Sequence, residues 1–466
     1  MYKKIKKIHF IGIGGSGMSG IAEIMFNMHF QITGSDIGSS EALEHLKSRG
    51  IKIFTEHNQA NVKNADVVVT SSAISKKNQE VIYAIKNKIP IIPRAEMLAE
   101  LMRYKFGIAI AGTHGKTSTT SMLAEIMNYG GIDPTYVIGG RINSLRQNAK
   151  LGKSNVMIVE ADESDASFLH LNPAQVLVTN IDTDHMETYD GSMEKLKETF
   201  LNFIHQIPFY NEVFICIDDT GNKSILKKIS RPLVTFGINK NADYYASDIR
   251  FKGNISEFNF NSNLDKKIRF KVKLKMPGSH YVSNCVGAIA IALKHEVSIK
   301  NIQTALQNFN GVSRRFDLYP NYKLLNEKTV NLIDDYGHHP TEIRAVIDSI
   351  KKGYPRKKIN IVFQPHRYSR TFQLFDDFVK VLSLVNRVFL FEIYSAGEKN
   401  IYGVNSRKIL KKLTNKKYFL SDFESAKDVI EKNIENNSIL LVMGAGSIGA
   451  WFKKAFFNQL NENRSR

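Results

Sequence analysis

Apolar residues in this chain fall in short runs, most of them closed by glycine or small polar residues. A run of four to eight bounded in this way reads as a buried strand. Apolar positions three and four apart read as one face of a helix. The first run, Ile8 to Ile13, meets a glycine cluster at once. Helix periodicity follows over Ile21 to Met28, and then a second strand, Phe30-Gln-Ile-Thr-Gly-Ser-Asp36. The alternation continues through Ile51-Lys-Ile-Phe, Ala65 to Ala73 and Ile89-Pro-Ile-Ile-Pro. It resumes with Phe106 to Ala111, a helix face of Met122, Leu123, Ile126 and Met127 that stops at Gly130-Gly131, and strands at Val156 to Val159 and Val176 to Thr179. Between Ile249 and Met276 the period shortens to two, which predicts antiparallel strands with one wet face. An Ala-rich helix through Leu293 follows. Strands at Val330, Ile359, Val388 and Ile439 then alternate with helical stretches.

Strands separated by helices predict parallel sheets, so the fold class is α/β. The pattern divides into three domains: a Rossmann-like one over 1–103, a central P-loop-type α/β domain over 104–312, and a second Rossmann-like one over 313–466. A chain of 466 residues has room for two to four.

In an α/β sheet, chemistry collects at the C-terminal ends of strands. The most informative such end is Gly112-Thr-His-Gly-Lys-Thr117, set between a strand and a helix. Glycines let backbone N–H groups close on phosphate oxygens, and the helix N-terminus adds a favourable dipole. Lys116 can reach terminal phosphates and the Thr117 hydroxyl can ligate Mg²⁺. The spacing is shorter than the usual phosphate loop, with two residues rather than four between Gly112 and Gly115. The bland alternative is a glycine-rich turn with an exposed lysine.

Other strand ends carry candidates. Gly12, Gly14 and Gly17 fit G-x-G-x-x-G, with Asp36 ending the next strand where a carboxylate can bond ribose; this points to a dinucleotide or a nucleotide-sugar. Ser71 and Ser72 end a buried strand, with helix capping as their alternative. Glu160, at the end of its strand, is the best Mg²⁺ ligand of its cluster. Asp162, Glu163 and Asp165 read equally well as a solvated acidic turn. His185 follows the strand at Val176, as a metal ligand or a structural histidine. Asn284, near the start of the Ala-rich helix, could read the edge of adenine or bond locally. Asp334 to Pro340 and Gln364 to Arg370 are polar clusters after strands. Gly444-Ala-Gly-Ser-Ile-Gly449 reads as a tight turn with close helix packing.

Composition changes the picture only at the edges. The formal charge of +19 invites a nucleic-acid reading, but the lysines are scattered and no basic run is interleaved with aromatics. Basic charge also suits a site for several phosphates. Cys216 and Cys285 form no metal or redox spacing, which predicts a reducing, cytoplasmic setting. No apolar run approaches a membrane span. The start, Met1 to Lys7, is read as leading into a strand rather than as a secretion signal. Neither nucleic acid nor membrane is expected as a partner, and the tail from Asn461 is expected to fray.

Taken together and in order, Gly12-Ile-Gly-Gly-Ser-Gly-Met-Ser-Gly, Gly112-Thr-His-Gly-Lys-Thr, Glu160-Ala-Asp-Glu-Ser-Asp, Asp335-Tyr-Gly-His-His-Pro and Gln364-Pro-His-Arg-Tyr-Ser-Arg resemble the Mur ligase family. The likeness runs from about Ile8 to Gly449. It implies a UDP-substrate domain, an ATP-binding domain and a C-terminal amino-acid domain. The implied reaction uses ATP to phosphorylate the lactyl carboxylate of UDP-N-acetylmuramate, and the amine of L-alanine then displaces the phosphate. Gln364 to Arg370 favours this reaction over the family's recycling of a murein tripeptide. An NAD-dependent oxidoreductase, the rival from another class, leaves Lys116 and Thr117 idle. A monomer or weak homodimer is expected.

By motif position the resemblance assigns ATP to Gly112, Thr113, His114, Gly115, Lys116, Thr117, Ser118, His280, Asn284, Arg315 and Asp335. It puts Mg²⁺ on Thr117 and Glu160 and a second metal on His185. The UDP end falls to Gly14, Gly15, Ser16, Gly17, Met18, Asp36, His57, Ser71 and Ser72. The amino acid falls to Tyr336, His338, His366, Arg367 and Arg370. Lys116, Arg315 and His338 stand nearest the chemistry. Departures from the family pattern are Ser118 for Thr, Glu56 before His57 for Gly, Tyr281 for Asn and Ser447 for Asp. Phe200 stands where sister ligases carry a carbamylated lysine.

Overall fold

The computed structural model describes residues 5–71, 73–103, 105–143 and 147–457. Ser72, the side chain of Ser16 and the tail from Asn461 lie outside the described residues. Three sheets with intervening helices form an α/β, three-domain layout. The chain gathers into two compact units. One holds residues 1–247, 259–272 and 283–309; the other holds 248–258, 273–282 and 310–466.

The first unit contains two sheets. Strands β1 (Lys7–Ile11), β2 (Gln31–Ser35), β3 (Lys52–Phe54), β4 (Val67–Thr70) and β5 (Ile91–Pro93) pair in the order β3-β2-β1-β4-β5, parallel throughout. The order reverses between β1 and β4, which opens a crevice above their C-terminal ends. The second sheet is built on β6 (Phe106–Ala111), flanked by β9 (Val156–Glu160) and β10 (Gln175–Val178). Beyond β9 lie β7 (Thr135–Ile142) and β8 (Gln147–Lys150); beyond β10 lie β11 (Val213–Cys216) and β12 (Leu233–Gly237). Only the β7–β8 pair of these seven is antiparallel. One hydrophobic cluster runs from Phe10 and Met25 through Leu98 to Val159 and Phe203, so both sheets share a core. That sharing is why they cluster as one unit despite their separate sheets.

In strand order the second sheet continues through β13 (Tyr244–Lys252), β14 (Ile255–Ser262) and β15 (Arg269–Leu274), whose residues fall in both units. The expected alternation is strict in β15, exposed and buried by turns. In β14 it is lost at the end, where Phe260, Asn261 and Ser262 are all buried.

The second unit contains the third sheet, with β16 (Asp317–Lys323), β17 (Thr329–Asp335), β18 (Ile359–Phe363), β19 (Arg387–Phe391), β20 (Lys416–Leu420) and β21 (Ser438–Met443) in the order β16-β17-β21-β18-β19-β20. β16 is an antiparallel edge, and the other pairs are parallel. Its core joins Leu332, Val362, Phe389 and Leu440 to Trp451 and Phe452. The closing glycine motif behaves as a packing turn: a Cβ on Gly446 would lie 2.7 Å from the Tyr394 ring, and one on Gly449 would lie 2.3 Å from Arg314 Nη1. Among the described residues no helix is long and apolar enough to cross a membrane.

Candidate functional site

The crevice of the first sheet holds a cavity of about 560 Å³. Gly12, Gly15, Asp36, His57 and Ser71 line it, each just beyond a strand, with Ile37, Ile74, Lys77 and Asn78 among the other wall residues. Gly12 turns with φ +78, a conformation that favours glycine. Asp36 spends both oxygens on the loop: Oδ2 accepts from the Gly14 amide at 2.8 Å and Oδ1 from the Gly38 amide at 2.9 Å. The carboxylate therefore shapes the glycine turn as well as facing the cavity. Arg94 lies against Gly17 and reaches Asp162 at 3.4 Å. The Met18 side chain is buried in the core.

At the second sheet, β6 feeds Gly112 to Gly115, and the helix Lys116–Tyr129 begins at once. Gly112 (φ +131) and Gly115 (φ +85) are both left-handed. A Cβ on Gly112 would fall 2.0 Å from Thr179 Oγ1, and one on Gly115 would fall 2.6 Å from Asn284 Nδ2. Only glycine fits either position, and Asn284 packs directly on the loop. The loop is tied to the end of β10: the His114 amide donates to Asn180 Oδ1 at 2.8 Å, and its carbonyl accepts from Thr179 Oγ1 at 2.6 Å and Asn180 Nδ2 at 2.9 Å. Thr113 Oγ1 accepts from the Asp182 amide, and His114 Nε2 lies 3.2 Å from Asp182 Oδ2.

Lys116 is not the exposed lysine of the bland alternative. Its ammonium donates to the carbonyls of Gly112 (2.7 Å) and Thr113 (3.2 Å) and to Glu163 Oε2 (2.6 Å). Burial opposes its charge, but Glu163, Asp162 and Glu160 outweigh burial and raise its pKa. Glu163 is a correction to the solvated acidic turn, since it is 3 % exposed. Burial pushes its carboxyl up to about 7 against the pull of Lys116. The Tyr189 hydroxyl donates to its carbonyl. Nothing in the local sequence separates Glu163 from Asp162 or Asp165; only the path of the turn brings it to Lys116.

Thr117 Oγ1 donates to Glu160 Oε2 at 3.2 Å, and the Gly139 amide donates to Oε1 at 2.9 Å. A hydroxyl and a carboxylate in contact are the hard oxygen donors Mg²⁺ prefers, so these residues fit that ion. His185, left-handed at φ +53, lies 3.6 Å from Asp184 Oδ2. Ser118 is buried within the helix.

The second unit carries its own cluster. Asp335, at the end of β17, is buried and accepts from the amides of Phe316 and Gly337, at 2.8 and 2.7 Å. Arg315 lies 3.6 Å from Glu342; burial opposes its charge, and Glu342 and Asp335 more than restore it. The Tyr336 ring has the guanidinium groups of Arg314 and Arg315 at 5.3 and 5.2 Å. Rings then continue from Tyr336 to His338 (5.6 Å), His366 (5.7 Å) and Tyr394 (5.4 Å, stacked). Tyr394 follows β19, and the sequence pattern gave no sign of it. His280 packs its ring 4.0 Å from that of Tyr281.

The two arginines of this motif stand in different settings. The helix is Tyr368–Gln373, so Arg367 sits ahead of it at φ +72 and does not share a helical face with Arg370. Arg367 pairs with Glu398 at 2.8 Å. Arg370 is 6 % exposed, with Nη1 3.4 Å from His366 Nδ1.

Parallel sheets, a glycine loop opening a helix, and a half-buried lysine at its tip define a nucleotide-binding α/β protein. Three family profiles match in succession: "Mur ligase family, catalytic domain" over 7–106, "Mur ligase middle domain" over 110–292, and "Mur ligase, glutamate ligase domain" over 314–446. The chain belongs to the Mur ligase family. Among its relatives, the UDP-N-acetylmuramate–L-alanine ligase of Hydrogenovibrio crunogenus is 46% identical, over 98% of this chain and 100% of that protein. The ligase of the same name from Neisseria meningitidis serogroup A is 47% identical over 96% of this chain and 97% of its own. The crystal structure of the Thermotoga maritima UDP-N-acetylmuramate–alanine ligase superposes with a TM-score of 0.81 at 29% identity, covering 98% of this chain and 99% of that one. A murein peptide ligase from Psychrobacter arcticus shares the fold, with a TM-score of 0.74 at 22% identity over 97% of this chain and 99% of that one.

Proposed function

We propose that this chain is an ATP-dependent ligase that joins L-alanine to the lactyl carboxylate of UDP-N-acetylmuramate in peptidoglycan precursor synthesis. The observation that carries the reading is the half-buried Lys116 at the tip of the glycine loop, in a chain 46–47% identical over nearly its whole length to ligases of that name. The tripeptide-recycling reaction is not favoured, because solved structures of such ligases are 22 and 26% identical to this chain, against 46–47% for the alanine-adding ligases. We assign 1–103 to the UDP-substrate, 104–312 to ATP and 313–466 to the amino acid.

A carboxylate is a poor electrophile. In the proposed sequence its oxygen attacks the γ-phosphorus of ATP, and ADP leaves. The amine of L-alanine then attacks the acyl carbon of the acyl phosphate. Inorganic phosphate departs, the nitrogen loses a proton, and an amide remains. Lys116 is assigned to the β- and γ-phosphates, Arg315 to the γ-phosphate, Asn284 and His280 to adenine, and Asp335 to the ribose. Thr117 and Glu160 would hold Mg²⁺, which when bound offsets the charge of the phosphate oxygens. His338, Arg370 and the rings around His366 are assigned to L-alanine.

The direct test is phosphate release from ATP with UDP-N-acetylmuramate and each amino acid in turn. Release with L-alanine, dependent on all three substrates, is expected; release only with a murein tripeptide would overturn the reading. Calorimetry should show the full chain binding UDP-N-acetylmuramate without ATP. Tight NADH binding with silence toward the UDP-sugar would reverse the assignment of the first cavity.

Glu163 adds a pH signature. A phosphate that takes Lys116 removes the cation that favours ionised Glu163, so its carboxyl, already near 7, rises further and takes up a proton. By linkage, ATP then binds more tightly as pH falls from about 8 to about 6. Titration in buffers of different ionisation enthalpy should show proton uptake beyond that of the Glu163→Gln variant. Equal uptake in both would remove Glu163 from the binding step.

A further inference from the structure

Beneath the first cavity lies a carboxylate that the proposed reaction does not use. Glu80, in the first turn of the helix Gln79–Lys86, is fully buried. Ser35 Oγ donates to its Oε2 at 2.6 Å, His57 Nδ1 lies 2.9 Å from the same oxygen, and Asn61 Nδ2 donates to Oε1 at 2.7 Å. His9 Nε2 lies 3.4 Å from Oε1. These partners come from the middle of β1, the end of β2 and the segment after β3, so one side chain ties three segments together. Burial would raise the carboxyl, but the His9 ring beside it and hydrogen bonds from Ser35, Asn61 and His57 bring it to about 2.

An ionised carboxylate only accepts, so the hydrogen in the His57 contact is on Nδ1. Ser35 Oγ is also 3.0 Å from that nitrogen, but its own hydrogen goes to Glu80. In the neutral ring the other nitrogen, Nε2, is then a bare acceptor. His57 lines the cavity beside Gly12, Asp36 and Ser71.

We infer that Glu80 is a positioning residue of this cavity: it fixes the His57 ring with its hydrogen on Nδ1 and presents Nε2 to a donor on the ligand. The inference rests on the UDP-sugar reading. A nucleoside diphosphate sugar offers such donors in the imide N–H of its base and in its sugar hydroxyls. Its phosphate oxygens are acceptors, so His57 reads base or sugar rather than pyrophosphate.

The test is a double-mutant cycle by calorimetry, on the full chain with UDP-N-acetylmuramate, using Glu80→Gln, His57→Ala and the double variant. Loss of a hydrogen bond of this kind weakens binding by about tenfold or more. Each single variant should show that loss, and the double variant should be no weaker than His57→Ala alone, because Glu80 acts through His57. Additive losses, or an unchanged Kd in Glu80→Gln, would overturn the inference. Nitrogen-15 NMR of the wild-type imidazoles decides the matter even where Glu80→Gln does not fold. A protonated Nδ1 and bare Nε2 on neutral His57 is expected, and the opposite tautomer overturns it. Wild-type protein that fails to bind the UDP-sugar would refute the reading of the site, while the tautomer would still decide the role of Glu80.

Discussion

Replacing Lys116 with alanine is expected to lower ATP turnover by about 10²–10³, the usual cost of removing one preorganised charge-stabilising group. In the structure that ammonium has two kinds of partner. The carbonyls of Gly112 and Thr113 are part of the loop, so Lys116 braces the turn it serves. Glu163 is an anion that a phosphate can replace. The variant therefore loses both a brace and a charge. Glu163, left without its cation in a buried site, will protonate rather than stay ionised, which limits the cost to stability. Thermal melting should confirm a folded protein, and steady-state phosphate release gives the rate. Near-wild-type turnover in that folded protein would end the assignment of the loop.

Changing Arg370 to lysine should raise the KM for L-alanine by about 10- to 100-fold, the equivalent of one charge-assisted hydrogen bond. The KM for ATP should hardly move. L-Alanine has almost no side chain to grip, so its carboxylate and amine must carry recognition. A guanidinium offers paired N–H donors that match a carboxylate, whereas an ammonium keeps the charge and loses the fork. Of the two arginines in the motif, Arg367 sits ahead of the helix and pairs with Glu398. Arg370 is the more buried and lies beside His366, in the row of rings that ends at Tyr394. Initial-rate kinetics with each substrate varied in turn separates the cases. Equal effects on both constants would move the amino-acid site toward Tyr336 and His338.

What the chain shows on its face is what repeats locally. The buried parallel strands are continuous apolar runs because helices cover both sides of such sheets, and β6, β10, β18 and β21 were legible for that reason. Their C-terminal ends were legible too, because glycine at Gly112 and Gly115 marks backbone that no other residue can adopt. Edge strands were harder. β8 and β16 are short or half-exposed and carry mixed polar residues, so no run announces them. The turn of Arg367 out of the helix was equally hidden, since φ +72 on an arginine has no sequence signal.

The sequence by itself determined the α/β class and the strand–glycine loop–helix step at Gly112 to Thr117. Each depends on residues within one strand–loop–helix step, where periodicity and glycine act directly. Only the tertiary structure decided which of three neighbouring acids meets Lys116, that Arg367 answers to Glu398, and that Glu80 lies under His57. Those choices join residues far apart in the chain, and burial sets their energies: an acid in water is a solubilising side chain, while the same acid in a dry crevice must find a partner. Composition and spacing carry no record of that crevice, because it exists only once the sheets have packed.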